Sequence, residues 1–291
     1  MLVVDQPQST YTHAALAALV RSGAVLVVCG RDHLPAGVLL PLADHCQVVW
    51  RVAEQVAISK PLRKRLWKQL VRAKIRAQAQ NLPATRPARK KLLELARQVR
   101  SGDPTNVEAQ AAKVYWRHWL PDVPFRRDTD GKGLNSLLNY GYAILRAAVA
   151  RALVAAGLLP AIGLFHSNRS NAFCLADDLI EPLRPLVDRR VRELREGDCP
   201  NFLGAAEERP TGRPGCRENG TVPFVPELNP ETKRGLLKLL ADPVRMGHQR
   251  GPLMVNLHRM VASLVRCYQG ESDRLEIPRA CTSADTDACG S

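Results

Sequence analysis

Hydrophobic and polar positions along this chain follow two different rhythms. In the first fifty residues the apolar runs are short and continuous: Leu2–Val4, then AVLVVC over 24–29, then a run over 38–42. Continuous β-branched runs of this length predict buried strands. A helical stretch over 10–22, stopped by Gly23, separates the first two runs. From about Val48 the apolar positions recur every three or four residues, the period of a helix with one buried face. The pattern predicts helices over 60–80, 87–99, 106–119, 134–156, 229–240 and 252–269, with Asn106 and Asn229 as N-caps. Another helix is expected after Asp178, with Pro182 and Pro185 near its first turns, where a missing N–H is tolerated. The stretch 134–156 is apolar on most faces and is expected at the centre of the fold. Arg146, Arg151 and Pro160 interrupt the apolar run 143–165 that contains most of it, which argues against a membrane span.

The expected fold is therefore mainly α. An all-helical C-terminal domain over 48–278 is preceded by a small α/β, β-rich fragment over 1–47 with too few strands for a stable sheet alone. Abundant Ala, Leu, Val and Arg and few aromatics agree with a helical body. Dense Pro and Gly over 196–226 cannot sustain a helix and predict a flexible insertion. Residues 279–291 are small and polar, as in a disordered tail. The eight cysteines contain no C-x-x-C pair, so a zinc module is not expected. With no signal-peptide pattern, the reading is free thiols in the cytoplasm.

Charge narrows the partners. The net charge is +14 and the sequence pI about 9.8, which points to a polyanion: nucleic acid first, an anionic membrane surface second. The basic side chains concentrate on one segment. Between Lys60 and Arg76 there are eight Lys and Arg and no acidic residue. Arg63, Lys64, Lys68, Arg72 and Arg76 alternate with an apolar stripe of Leu62, Leu66, Trp67, Leu70, Val71, Lys74 and Ile75. Contacts from such a face to phosphates position nucleic acid without specifying sequence. A membrane surface is the weaker alternative, because the opposite face of the helix reads as core.

Candidate chemistry lies between Asn135 and Asp188. His166 follows an apolar Gly-Leu-Phe turn, and twelve residues later Asp178 and Glu181 stand one helical turn apart. Two carboxylates on one helix face repel unless a cation sits between them. Glu108, in NVEAQAAKVYW, offers a further oxygen ligand. These donors suit Mg²⁺ or Mn²⁺, the imidazole nitrogen favouring Mn²⁺. A purely structural reading stands beside this one: Asp178 caps a helix start, Arg184 neutralises Glu181, and Glu108 complements a helix dipole. Asn135 and Asn139 are one turn apart on an apolar helix, with Tyr140 adjacent. Their amides need partners, either in the core or behind the metal ligands.

At these residues the sequence resembles the CRISPR-associated integrase-endonuclease family, the catalytic subunit of the spacer-acquisition complex, and most of all the variant that accompanies type II systems. The motifs that carry the resemblance are SGDPTNVEAQAAKVYW, GLNSLLNYGYAILRAAVARAL, GLLPAIGLFH, LADDLIEPLRPLVD and GPLMVNLHRMVASLVRCYQGE. QPQSTYTHAALAALV and DHLPAGVLLPL also fit. The resemblance implies a β-rich N-terminal domain, an all-helical catalytic domain, and Mg²⁺ or Mn²⁺ held by Glu108, His166 and Glu181 with Asp178 close by. It implies a homodimer that works with a small ferredoxin-like partner subunit, with no membrane involved. Short double-stranded DNA segments would be inserted into the CRISPR repeat array by 3′-hydroxyl attack on a phosphodiester. Relative to the family the chain is expected to lack several dozen residues of the β domain, so 1–47 reads as its remnant, and to carry 196–226 as an insertion. A non-catalytic DNA-binding remnant of the family, without the dimer, is the alternative.

Overall fold

The computed structural model describes residues 1–41, 45–197 and 227–281. The expected insertion over 196–226 lies outside the described residues except for its first two positions, as does the expected tail from 282 onward.

The chain opens with β1 (Leu2–Val4), α1 (His13–Arg21), β2 (Leu26–Cys29) and β3 (Pro35–Leu39). β1 and β2 pair in parallel, with α1 as the crossover, and β3 joins antiparallel on the far side of β2. The Thr12 hydroxyl caps α1 by accepting from the Ala15 N–H. Val25 and Val27 are fully buried against Ala147 of the helical body. Arg151 of that body donates to the Gly23 carbonyl (2.7 Å), and Lys233 forms an ion pair with Asp5. The small sheet thus obtains from the helices the buried face it cannot make alone.

The helical body begins with α2 (Val48–Ala57) and α3 (Lys60–Gln80). Ser59 caps α3 and Pro61 sits in its first turn, where its missing N–H is harmless. α4 (Pro87–Gln98) and α5 (Val107–His118) pack against α3. The long helix α6 (Leu134–Ala155) is long and apolar enough to cross a membrane by length and composition; it is largely buried and touches the four later helices of the body. Those are α7 (Cys174–Ile180), α8 (Arg184–Glu196), α9 (Pro230–Lys238) and α10 (Leu253–Tyr268). Gly141 lets α6 approach α8, because a methyl group at that position would collide with the Val187 side chain.

Three details differ from the sequence expectation. The helix expected after Asp178 starts earlier, at Cys174, so Asp178 lies inside α7 and does not cap it. A 3-10 turn (Glu181–Leu183) with Pro182 then breaks the path before Arg184 and Pro185 start α8. The helical body also carries a small sheet: the hairpin β4 (Pro243–Met246) and β5 (Gln249–Pro252), turned at Gly247, and β6 (Arg279–Ala280) along β4. Arg279 and Ala280, expected in the disordered tail, are therefore paired in a sheet.

Candidate active site

Four elements converge beneath α3. Glu108 stands in the first turn of α5, an orientation set by Asp103, whose carboxylate accepts the N–H groups of Val107 and Glu108, each at 2.9 Å. Glu181 starts the 3-10 turn after α7 and is buried. Between the two carboxylates lies the ammonium of Lys74, from the buried face of α3. Nζ is 2.5 Å from Oε2 of Glu181 and also contacts Oε1 of Glu108. Arg184 closes the other side, with Nε 2.8 Å from Oε1 of Glu181. The ion pair foreseen between Glu181 and Arg184 is present, but Lys74 is the stronger feature and joins both carboxylates. Burial alone would raise the Glu181 carboxyl; the charges of Lys74 and Arg184 hold it down at about 2. Burial also works against the Lys74 ammonium, yet Glu181 and Glu108 raise its pKa above the ordinary lysine value, so it is charged.

His166 approaches from the turn after Gly163. Its Nδ1 lies 2.6 Å from Oδ1 of Asp178, a bond that raises the imidazole pKa against burial. Asp178 itself is fully buried and accepts the N–H groups of Leu164 (2.6 Å), Phe165 (3.0 Å) and His166 (3.3 Å). The turn around Asp178 leaves no room for a Cβ at Gly163. Both carboxylate oxygens of Asp178 are spent on this turn, so Asp178 positions His166 and is not itself free as a ligand. Phe165 stacks on Trp67 (centroids 4.3 Å apart), and both rings meet the imidazole edge-on.

The donors fit a divalent cation in one respect and differ in another. Two carboxylates from separate elements share one positive charge, and the Lys74 ammonium offsets their repulsion. Among the described residues, however, no three His, Cys, Asp or Glu side chains gather closely enough to hold a metal as they stand.

The amides of Asn135 and Asn139 both bind Arg127. Asn135 accepts from Arg127 (2.9 Å) and from the Asp128 N–H, and Asn139 accepts from Arg127 and donates to the Thr129 carbonyl. They hold the loop before α6 and its Arg127. Tyr140 is buried within the core. Tyr142, two residues on, reaches the Arg184 side of the site: its hydroxyl donates to Asp188, and the Arg184 guanidinium lies over its ring (4.6 Å). Burial pushes the Asp188 carboxyl up to about 7, against the hydroxyl groups of Tyr142 and Tyr115. Lys74, Arg127, Tyr142, Arg184 and Asp188, with Gln78, line a cavity of about 80 Å³ behind the carboxylates.

A larger open cleft, about 680 Å³, runs past the start of α5 next to Glu108. Lys68 and Arg72 line it with Arg97 and Arg100, which the sequence reading did not select. Arg76 is exposed, and partial desolvation followed by the positive charges of Arg72, Arg279 and Arg97 lowers its pKa. Arg72 has a second task, donating to the carbonyls of Ala96 and Arg97 at the end of α4. Lys64 is exposed with its stem against Gly102, while Arg63 turns back toward the Val56 carbonyl and away from this group. Lys74 is the residue whose role the sequence reading missed. Its signal was a lysine on an otherwise apolar stripe.

Comparison with known proteins gives the family. Residues 2–198 match the family model described as CRISPR associated protein Cas1. A CRISPR-associated endonuclease Cas1 from Neisseria meningitidis serogroup C is 38% identical over 265 residues, covering 90% of this chain and 79% of the relative. One from Pyrobaculum aerophilum is 32% identical over 195 residues, 62% of this chain and 66% of the relative. Among solved structures, a casposase bound to integration product superposes with a TM-score of 0.71 at 22% identity, covering 94% of this chain and 79% of that one. A CAS1 protein from Thermotoga maritima gives 0.63 at 16%, covering 89% and 83%. These likenesses show the shared fold, and the sequence matches go further: the chain belongs to the CRISPR-associated Cas1 family.

Proposed function

We propose that this protein is a metal-dependent DNA endonuclease and integrase that joins short DNA segments to a CRISPR repeat. The observation that carries the reading is the convergence of Glu108 and Glu181, from separate elements, on a single positive charge. His166, held by Asp178, would add a nitrogen donor, and the chain's membership of a family whose relatives are described as endonucleases supports the phosphodiester chemistry. Glu108, His166 and Glu181 would hold Mg²⁺ or Mn²⁺. When bound, such an ion polarises the scissile phosphate and neutralises charge on the leaving oxygen.

The remaining work falls to the chain itself. Asp178 holds Nδ1 of His166, so that Nε2 carries the free lone pair. Arg184 keeps Glu181 ionised and oriented. Lys68, Arg72, Arg97 and Arg100 give the cleft beside Glu108 the positive wall along which a phosphate backbone can run. In integration the 3′-hydroxyl of the incoming strand loses its proton to solvent and forms the new P–O bond as the bond to the leaving 3′-oxygen breaks and that oxygen takes up a proton from solvent; in hydrolysis water takes the place of the attacking hydroxyl. We propose that the chain acts as a homodimer with a small ferredoxin-like partner subunit. Support comes from similar solved structures described as complexes of Cas1 with Cas2.

The test is strand transfer from short duplex DNA into a supercoiled repeat plasmid, with the partner subunit present. Glu108→Ala and His166→Ala should each abolish product while retaining DNA binding; activity equal to the parent would refute the site. One observation favours the second reading, a DNA-binding protein without catalysis: the cation position is taken by Lys74. That reading predicts binding without product under every metal.

A further inference from the structure

Lys74 is an expensive residue where it stands. It lies on the core stripe of α3, with only 11% of its side chain exposed, among Leu70, Val71, Ile75 and Gln78. Its stem could pack there as well without the charge, as a methionine would. What the ammonium adds is a counter-charge to Glu181, which is buried, and to Glu108, which is partly exposed, two carboxylates that would otherwise repel across the site.

The same ammonium has somewhere to go. Behind it lies the cavity of about 80 Å³, whose wall includes Gln78, one turn further along α3, and the Asp188 carboxyl. Oε1 of Gln78 is buried and, among the described residues, accepts no hydrogen bond: an open acceptor on the wall of a space large enough for a water-sized group. A buried acceptor without a donor is costly unless it is used in another state.

We propose that Lys74 is a built-in placeholder: its ammonium occupies the cation position in the metal-free protein and withdraws toward Gln78 and Asp188 when a divalent cation binds between Glu108 and Glu181. This rests on the metal-dependent reading above and concerns how the same site is kept intact while empty. Lys74 is a positioning residue in this account.

The test measures Mn²⁺ binding by calorimetry, without DNA, in the full chain, in Lys74→Met, in Gln78→Leu and in the double variant, with Glu108→Gln as the control. Removing the competing charge should tighten Glu108-dependent Mn²⁺ binding about tenfold or more, the scale of a lost buried charge interaction. The same variant should melt below the parent in EDTA and recover more of its melting temperature than the parent does on adding Mn²⁺. Gln78→Leu should weaken Mn²⁺ binding where Lys74 is present and leave it unchanged in the Lys74→Met background. Should Lys74→Met not fold without metal, Lys74→Gln carries the same expectation. Glu108-dependent binding that is no tighter in the Lys74 variants overturns the placeholder alone. Absence of Glu108-dependent binding in every protein overturns the metal reading and the placeholder with it.

Discussion

Nδ1 of His166 lies 2.6 Å from Oδ1 of Asp178, and the same buried carboxylate receives three backbone N–H groups of the turn that carries the histidine. A single side chain on α7 therefore sets both the path of residues 164–166 and the direction of the imidazole. Asp178→Ala leaves buried donors without an acceptor and should destabilise the protein by about 2–4 kcal/mol. Asp178→Asn keeps the shape and should cost less. Both should lower strand transfer about 10- to 100-fold, the usual effect of losing the group behind a ligand histidine. Melting temperature and initial rate, measured side by side, check this. A variant with parental activity would show that His166 needs no orientation.

Two buried carboxyls respond to pH with opposite signs. Glu181 is held at about 2 against an ordinary value of 4.5, so its stabilising contribution is complete above the ordinary value and is lost as pH falls toward 2. The loss amounts to roughly 3 kcal/mol, and Glu181→Gln should flatten that part of the acid unfolding curve. Asp188 is held at about 7 against 3.8, so it is least costly below the ordinary value and progressively destabilising as pH rises toward 7. Asp188→Asn should therefore raise the melting temperature more at about pH 8 than at about pH 5. An equal effect at both would contradict the buried, raised carboxyl.

The α6–α8 contact depends on the missing side chain at position 141. Gly141→Ala drives a methyl group into Val187 and should cost about 1–3 kcal/mol despite the better helix propensity of alanine. Adding Val187→Ala should restore part of that loss, a coupling that a double-mutant cycle in denaturant would measure. Additive losses would mean the helices do not meet there.

The basic residues of α3 separate into two kinds. Lys68→Ala and Arg76→Ala should each weaken DNA binding for all sequences alike and lower the salt slope by about one per lost phosphate contact, with stability unchanged. Arg72→Ala should do this and also destabilise the protein, because Arg72 closes the carbonyl end of α4. Fluorescence anisotropy across a salt series, with melting curves, distinguishes the two. A slope unaffected by Lys68 and Arg76 would move the DNA path elsewhere.

Much of the helical body was legible because its signals are local. α3 occupies 60–80 as expected, since Ser59 and Pro61 define its start and the apolar stripe carries it to Gln80. His166 and the acidic pair Asp178 and Glu181 could be linked because a short polar loop leads from one to the other. Lys74 was hidden by its own stem, which fills a core position as well as an apolar residue does. The partners of Asn135 and Asn139 were hidden because Arg127 sits in an irregular loop with no periodicity to read. Asp178 resembled a cap because it precedes two prolines, but the turn ending at Phe173 lets α7 begin at Cys174, where the Leu175 N–H finds the Pro160 carbonyl as its acceptor.

The central claim is that Glu108, His166 and Glu181 hold one divalent cation. Crystals of the protein grown with Mn²⁺, measured at the manganese absorption edge, test it most directly. The account predicts one anomalous peak between the two carboxylates and the His166 ring, lost in Glu108→Ala, with the Lys74 ammonium displaced from its present position. A peak elsewhere, or none while Lys74 still bridges Glu108 and Glu181, would contradict it.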